Sequence, residues 1–433
     1  MKESVRPAWP RPIVVFCLAL AMLLNVPLSA QSTTPAETFA DRIAKFHYPI
    51  EVKDGHLTGS GAPVLASAFE GAQFILLGED HGIAQIPQFD AAVCGLVGPK
   101  GFRDLAIEVG PSVAEKLSEA LAEKDGRTNM VAFNKDFPET VAFYNWAEEY
   151  DFLAHCSQAA TGGKFRLWGM DQELMGASGY LLTQILKQRL SPTAAAEARH
   201  LIEENDAAHA QAAKSGNPFE LFMMSAPDAE LAHFRETLVH EGNPAFPKML
   251  DGLLESREIY KKYQDGRGFE SNRQRALMMK RIFTFNYDLE SDEDSSPPKV
   301  IMKFGGEHLF KGFNPLHNND VGNLIAELAD PQHSKSVHIL LLGVKGKQAR
   351  FAGIGKPAEA TDFNLAEDKD SDFLFLKPFF EKTANDGMTM FDLRAFRQGF
   401  SSLGPVDREM ERLVFGYDFL VLIPNATASG LLQ

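Results

Sequence analysis

A chain of 433 residues with 45% hydrophobic and 23% charged side chains lies near the globular average, which excludes a wholly disordered, collagenous or coiled-coil protein. Its 43 Lys and Arg against 58 Asp and Glu give a net charge of −15, a sign that repels phosphate backbones and argues against nucleic-acid binding. The 33 Phe residues supply a large core.

The first thirty residues read as an export signal. Lys2, Arg6 and Arg11 precede an apolar run at 13–26, which is shorter than the roughly 20 residues of a membrane span. Pro27-Leu28-Ser29-Ala30 then places a small residue before a cut. Removal of residues 1–30 would leave 31–433 as a single secreted or periplasmic domain with no stable membrane anchor. Cys94 and Cys156 are the cysteines beyond that cut. In an oxidising compartment they either bond to each other or stay as two separate buried thiols.

Along the chain, six short apolar runs read as buried strands: 74–78 (FILLG), 104–109 (DLAIEV), 165–170 (FRLWGM), 300–304 (VIMKF), 337–343 (VHILLLG) and 417–423 (YDFLVLI). Amphipathic patterns at 112–123 and 137–158 read as helices between them. From about 177 to 288 no strand signal occurs, and the patterns at 192–213 and 272–287 are helical. The expectation is an α/β fold: a mostly parallel central sheet flanked by helices, with a large helical insertion at about 177–288. The acidic 291–298 (SDEDSSPP) lacks the alternating ligands and central Gly of a calcium loop and reads as a solvated turn.

The chemistry gathers where strands end. The first ends in Gly78-Glu79-Asp80-His81-Gly82 and the second in Glu108, before Gly110-Pro111. The third leads into Gly169-Met170-Asp171-Gln172-Glu173, and the fourth into Gly305-Gly306-Glu307-His308. In an open parallel sheet these carboxyl ends share one rim, where ligands bind. Stability does not require ionisable groups at the same edge of four strands, so one shared polar site is expected. Glu79, His81, Glu108 and His308 can hold a divalent metal ion with open positions, or a histidine oriented by a carboxylate can act as general base on free water. No GxSxG elbow occurs, and neither cysteine sits in a nucleophile motif.

At these residues the chain resembles the erythromycin-esterase/ChaN/Tiki (TraB-like) superfamily. GEDHG is similar to its Gly-Glu…His-Gly motif, and AIEVG to its second signature. RLWGMDQE resembles the Gly-x-Asp segment of the esterases, KFGGEHLF the second Gly-x-x-His element of the Tiki and ChaN branches, and YDFLVLIPNAT the closing strand. The resemblance spans residues 70 to 425 and rests on short motifs. It implies that His81 is the catalytic base or a metal ligand, that Glu79 and Glu108 are its carboxylate partners, and that His308 is the second-motif histidine. Arg275, in NRQRALMMKR, resembles the arginine of the esterases' long helix, and Asp171, Glu173, Glu307 and Arg275 are the expected substrate-binding set. Two departures stand out: one residue separates Glu79 from His81 where the macrolide esterases have two, and Gly305 stands where they carry another histidine.

Two functions follow. The first is a hydrolase of esterase or peptidase type acting on a small molecule or peptide, metal-assisted or not. The alternative is a ChaN-like haem- or iron-binding protein, which needs a His or Tyr ligand facing an apolar cleft. Tyr144, His155, Tyr180 and Phe222-Met223-Met224 are not spaced as a haem motif, no CxxCH occurs, and they read as core.

Overall fold

The structure, a computed structural model, describes residues 37–293 and 297–433. The expected export signal and the centre of the acidic turn at 291–298 lie outside the described residues.

Eleven strands occur among the described residues: β1 His47–Lys53, β2 His56–Thr58, β3 Ala72–Glu79, β4 Phe102–Ile107, β5 Arg166–Gly169, β6 Lys299–Gly305, β7 Lys335–Gly343, β8 Lys345–Arg350, β9 Glu359–Asn364, β10 Met388–Asp392 and β11 Phe419–Ile423. Nine form one sheet in the order β2-β1-β10-β11-β7-β3-β6-β4-β5, and β8 pairs with β9 in a separate hairpin. The six strands from β11 to β5 are parallel, and the three at the other edge pair antiparallel. All six runs read as strands are therefore present, and the four that carry the polar motifs are neighbours, β3-β6-β4-β5.

Alternate residues of the central strands enter two separate cores. Ile75, Leu77, Ile301, Ile339 and Leu341 pack on one face, while Phe74, Leu76, Met302, Leu340 and Leu342 pack on the other. A period of two with both faces covered explains why these strands read as continuous apolar runs. The expected insertion is helical throughout its length, with short connecting turns. Its longest early helix, Pro192–Ser215, starts where Ser191 accepts a hydrogen bond from the Ala194 N–H with Pro192 in the first turn, and stops at left-handed Gly216. The insertion has its own core of Leu182, Ile185, Leu201, Met223, Phe234 and Leu250. Tyr144 and Tyr180 are likewise buried among apolar side chains. No helix of the described residues is long and apolar enough to cross a membrane.

One expected helix is corrected. Residues 137–146 are irregular, and the helix begins only at Ala147, running to Ala159. Pro138 forces the preceding residue out of helical geometry and ends the helix Gly126–Asp136. Glu139 and Phe143 then take left-handed backbone, with φ of 52° and 58°. Cys94 and Cys156 are joined, tying the helix Gln85–Val97 to the helix Ala147–Ala159.

Candidate active site

The site is built around His81, two residues beyond the buried end of β3. Side chains two apart on extended chain face the same way, so Glu79 and His81 can meet. His81 Nδ1 lies 2.8 Å from Glu79 Oε1. The chain turns at Gly82, where φ is +86° and a Cβ would stand 2.3 Å from the Ala349 carbonyl oxygen, so only glycine fits. On its other edge, His81 Nε2 lies 3.4 Å from Glu108 Oε2, at the end of β4. One face of the imidazole stacks on Phe143, with ring centroids 3.7 Å apart and planes 9° from parallel.

Glu108 is a hub. The Gly305 N–H and Arg275 donate to it, and the His81 and His308 rings face it, His308 Nε2 at 3.6 Å. Both of its oxygens are therefore engaged. Gly305 explains its own departure from the esterase motif: a Cβ there would stand 3.1 Å from His81 Nε2 and 3.3 Å from Glu108 Oε2, in the contact between them. His308 is held from behind by Asp320, 2.9 Å from Nδ1.

Behind Glu79 sits Lys303, whose side chain is fully buried in the middle of β6. Its ammonium donates to Glu79 and, at 2.9 Å, to Glu149. Asp90 is buried nearby with no exposed surface. Burial works against charge throughout this group, and the ion pairs decide which members keep it. For Glu79, burial opposes ionisation, yet Lys303 and His81 hold the carboxyl below its usual range. For Glu108, burial is again outweighed, by His81, His308 and Arg275, which hold it well below. His81 is penalised by burial but pushed up to about 10 by Glu79 and Glu108. It therefore rests as imidazolium at neutral pH. Burial leaves Glu149 raised to about 7 despite Lys303, and raises Asp90 well above the carboxylate range.

Arg275, on the insertion helix Gly268–Glu293, reaches the rim and forms a two-pronged pair with Asp171, with its Nε 2.8 Å from Oδ1. A cavity of about 230 Å³ opens here, lined by Glu108, Thr140, Phe143, Asp171, Tyr260 and Arg275. The structure thus brings Glu79, His81, Glu108, Asp171, Arg275 and His308 together. Two expected substrate contacts are placed elsewhere. Glu173 is buried and accepts from the Ser112 N–H at 2.9 Å, capping the first turn of the helix Pro111–Ala122, because a carboxylate complements a helix N-terminus. Glu307 is exposed on the turn after β6 and does not line the cavity.

Neither a metal nor a haem fits the rim donors. The carboxylates a metal would need already face fixed cations, Lys303 at Glu79 and Arg275 at Glu108. Among the described residues, the donors that converge within 4.8 Å of one another are His200, Glu204 and Glu230 on the insertion, not the four rim residues. A haem needs an apolar cleft around its axial ligand. His81 has a carboxylate at each nitrogen, and so does His308.

Sequence reasoning passed over Lys303, Glu149, Asp90, Asp320, Tyr260 and Phe143. One charge inside the apolar run VIMKF was the available sign for Lys303. Nothing local marks the others, whose roles come from tertiary approach.

No protein-family model matches the chain, and no curated protein matches it. Solved structures do. An erythromycin esterase, EreC, crystallised as a histidine-to-asparagine mutant in its open conformation, is 17% identical, with a TM-score of 0.61 over 89% of this chain and 99% of that one. A protein from Bacillus cereus is 16% identical, with a TM-score of 0.55 over 91% and 99% of the two chains. A succinoglycan biosynthesis protein is 14% identical, with a TM-score of 0.54 over 90% and 97%. The chain has the α/β fold of erythromycin esterase EreC and these two proteins.

Proposed function

We propose that the protein is an exported hydrolase that cleaves an ester-type bond in a small molecule or peptide with water activated at His81. The observation that carries this reading is His81 itself, clamped between two buried carboxylates beside a cavity at the carboxyl edge of a parallel sheet. Glu79 accepts the Nδ1 proton, so Nε2, which faces Glu108 in the cavity wall, is the nitrogen left to exchange a proton. Glu108, held well below its usual range by His81, His308 and Arg275, orients and charge-balances the ring and is a poor base towards water.

The base is neutral His81. It takes a proton from water on Nε2 as the oxygen attacks the carbonyl, and returns it to the leaving oxygen as the tetrahedral intermediate collapses. Arg275 and Tyr260 line the cavity where the carbonyl and its substituents bind. The EreC likeness supports hydrolysis at the level of fold. The bond between Cys94 and Cys156 supports export, since disulfides persist in oxidising compartments.

The test is turnover of p-nitrophenyl acetate and butyrate and of a fluorogenic peptide library by the purified protein and by His81→Gln. Turnover by the first, reduced about 100-fold or more in the second, supports the reading. A His81→Gln protein as active as its parent removes His81 from the chemistry. A red-brown protein with a Soret band that His81→Gln abolishes would favour haem binding instead.

A further inference from the structure

The segment 137–146 contains a feature that turn formation alone does not explain. Phe143 has φ of 58°, a left-handed conformation that bulky side chains avoid and that glycine or asparagine would fill without penalty. An aromatic ring kept there is held for what the ring touches, and strained residues of this kind gather at functional sites. The ring lies flat on His81 and is backed by Trp146, 5.7 Å away at 53°.

Residues 427–432 lie across both partners. The Ala84 N–H donates to the Thr427 carbonyl at 2.9 Å, and the Ser429 N–H donates to the Gly82 carbonyl at 3.0 Å. Further along, the Ala147 N–H donates to the Gly430 carbonyl at 2.8 Å, and the Leu432 N–H donates to the Asn145 carbonyl at 2.9 Å. Single β-bridges join Ile83 to Ala428 and Trp146 to Leu431. Glu148 accepts from the Gly430 N–H at 2.9 Å. The tail therefore fastens the turn just after His81 to the chain just after Phe143.

We infer that Phe143 is a positioning residue that fixes the plane of the His81 ring, and that residues 427–432 are the strap holding the two in register. The inference rests on the hydrolase reading for its consequence in turnover, but the contact itself is read independently. With the ring plane fixed by stacking and Nδ1 fixed by Glu79, Nε2 has one direction in which to exchange a proton. Without the ring, the in-plane contacts at Nδ1 and Nε2 leave the imidazole free to tilt about the line between them.

The experiment compares the full-length protein with Phe143→Leu, Phe143→Tyr and Leu432→Pro, using p-nitrophenyl acetate and histidine-selective NMR, with the His81 signal assigned by its loss in His81→Gln. Proline has no N–H, so Leu432→Pro deletes one strap bond and touches neither ring. The expected result is an upfield His81 Hε1 resonance that moves downfield in Phe143→Leu. In the same variant kcat should fall about tenfold to a hundredfold, since small misplacements of a reacting group cost that much. Phe143→Tyr recovers both, and Leu432→Pro shifts both in the same direction by less. A His81 resonance unmoved by Phe143→Leu overturns the contact. A resonance that moves while kcat does not overturns the positioning role. A parent protein that hydrolyses nothing, with the resonance shifted as expected, defeats the hydrolase reading and leaves the contact standing.

Discussion

Lys303 and Glu79, 224 residues apart in sequence, form a wholly buried ion pair directly behind His81. A lysine in the middle of a central strand has no packing rationale, and removing one member of a buried pair strands the other's charge. Lys303→Met takes away the cation beside Glu149, leaves Glu79 with His81 alone, and should cost about 3–5 kcal/mol. Urea unfolding at pH 8 measures it. At pH 5 the loss should shrink, because Glu149 then takes a proton; a loss equal at both pH values would show that charge is not the cause.

Glu149 makes a separate prediction about pH. Its carboxyl is raised by burial from 4.5 to about 7. Between those values the unfolded chain has released a proton that the native protein keeps, so native stability declines as pH rises across that window and levels off above it. The size is about 3 kcal/mol from the shift alone. Glu149→Gln should flatten this part of the stability profile and be more stable than its parent at pH 8. Chemical denaturation at half-unit pH steps from 4.5 to 8 decides it.

What the sequence disclosed and what it withheld differ physically. Strands buried on both faces announce themselves, so β3, β4, β6, β7 and β11 were legible, and with them the glycines and ionisable residues at their ends. Half-exposed β1 and five-residue β10 carry no such run, and both went unread. The segment 137–146 has apolar residues at near-helical spacing, and Pro138 was the one local sign against a helix. Lys303 and Asp320 join the site through approaches between distant elements, which no window of sequence contains. Arg275 was reached through resemblance, because nothing within its helix says that it meets Asp171.

Arg275 joins the insertion to the rim through Asp171 and Glu108. The guanidinium's fork serves two carboxylates at once, which an ammonium cannot reproduce. Arg275→Lys should therefore behave nearly as a deletion of the contact. Ester turnover should fall about tenfold or more, as positioning losses do. Hydrogen exchange should quicken in Gly268–Glu293 while the strands of the sheet keep their protection. Unchanged exchange in that helix would show that Arg275 does not anchor it.

The bond between Cys94 and Cys156 closes a sequence separation of 62 residues and clamps together the helices that carry Asp90 and Glu149. Constraining the unfolded chain in this way stabilises by about 2–4 kcal/mol. Reduction with dithiothreitol, or Cys94→Ala with Cys156→Ala, should lower the urea midpoint accordingly. Intact-mass measurement after alkylation of the unreduced protein should show both cysteines blocked from reaction. Two alkylated thiols in protein purified under oxidising conditions would remove the clamp.

His81 ties stability and activity to pH in opposite directions. Its pKa is raised from 6.5 to about 10 by Glu79 and Glu108 against the effect of burial. A group raised on folding contributes stability that is fully present below its unfolded value and is lost as pH climbs through the folded one, here from about 6.5 to about 10. The neutral imidazole that serves as base grows in the same window, about tenfold per pH unit. The logarithm of kcat/KM for p-nitrophenyl acetate should therefore rise with a slope near one from pH 7 towards 9, while the urea midpoint falls. His81→Gln should lose the slope of the rate and, in large part, the alkaline decline in stability. With no metal in this mechanism, dialysis against EDTA should leave the rate profile unmoved. A rate that is flat through neutrality and falls above pH 9 would make His81 a proton donor and not the base. A rate abolished by EDTA and restored by a divalent ion would return the site to metal-assisted chemistry.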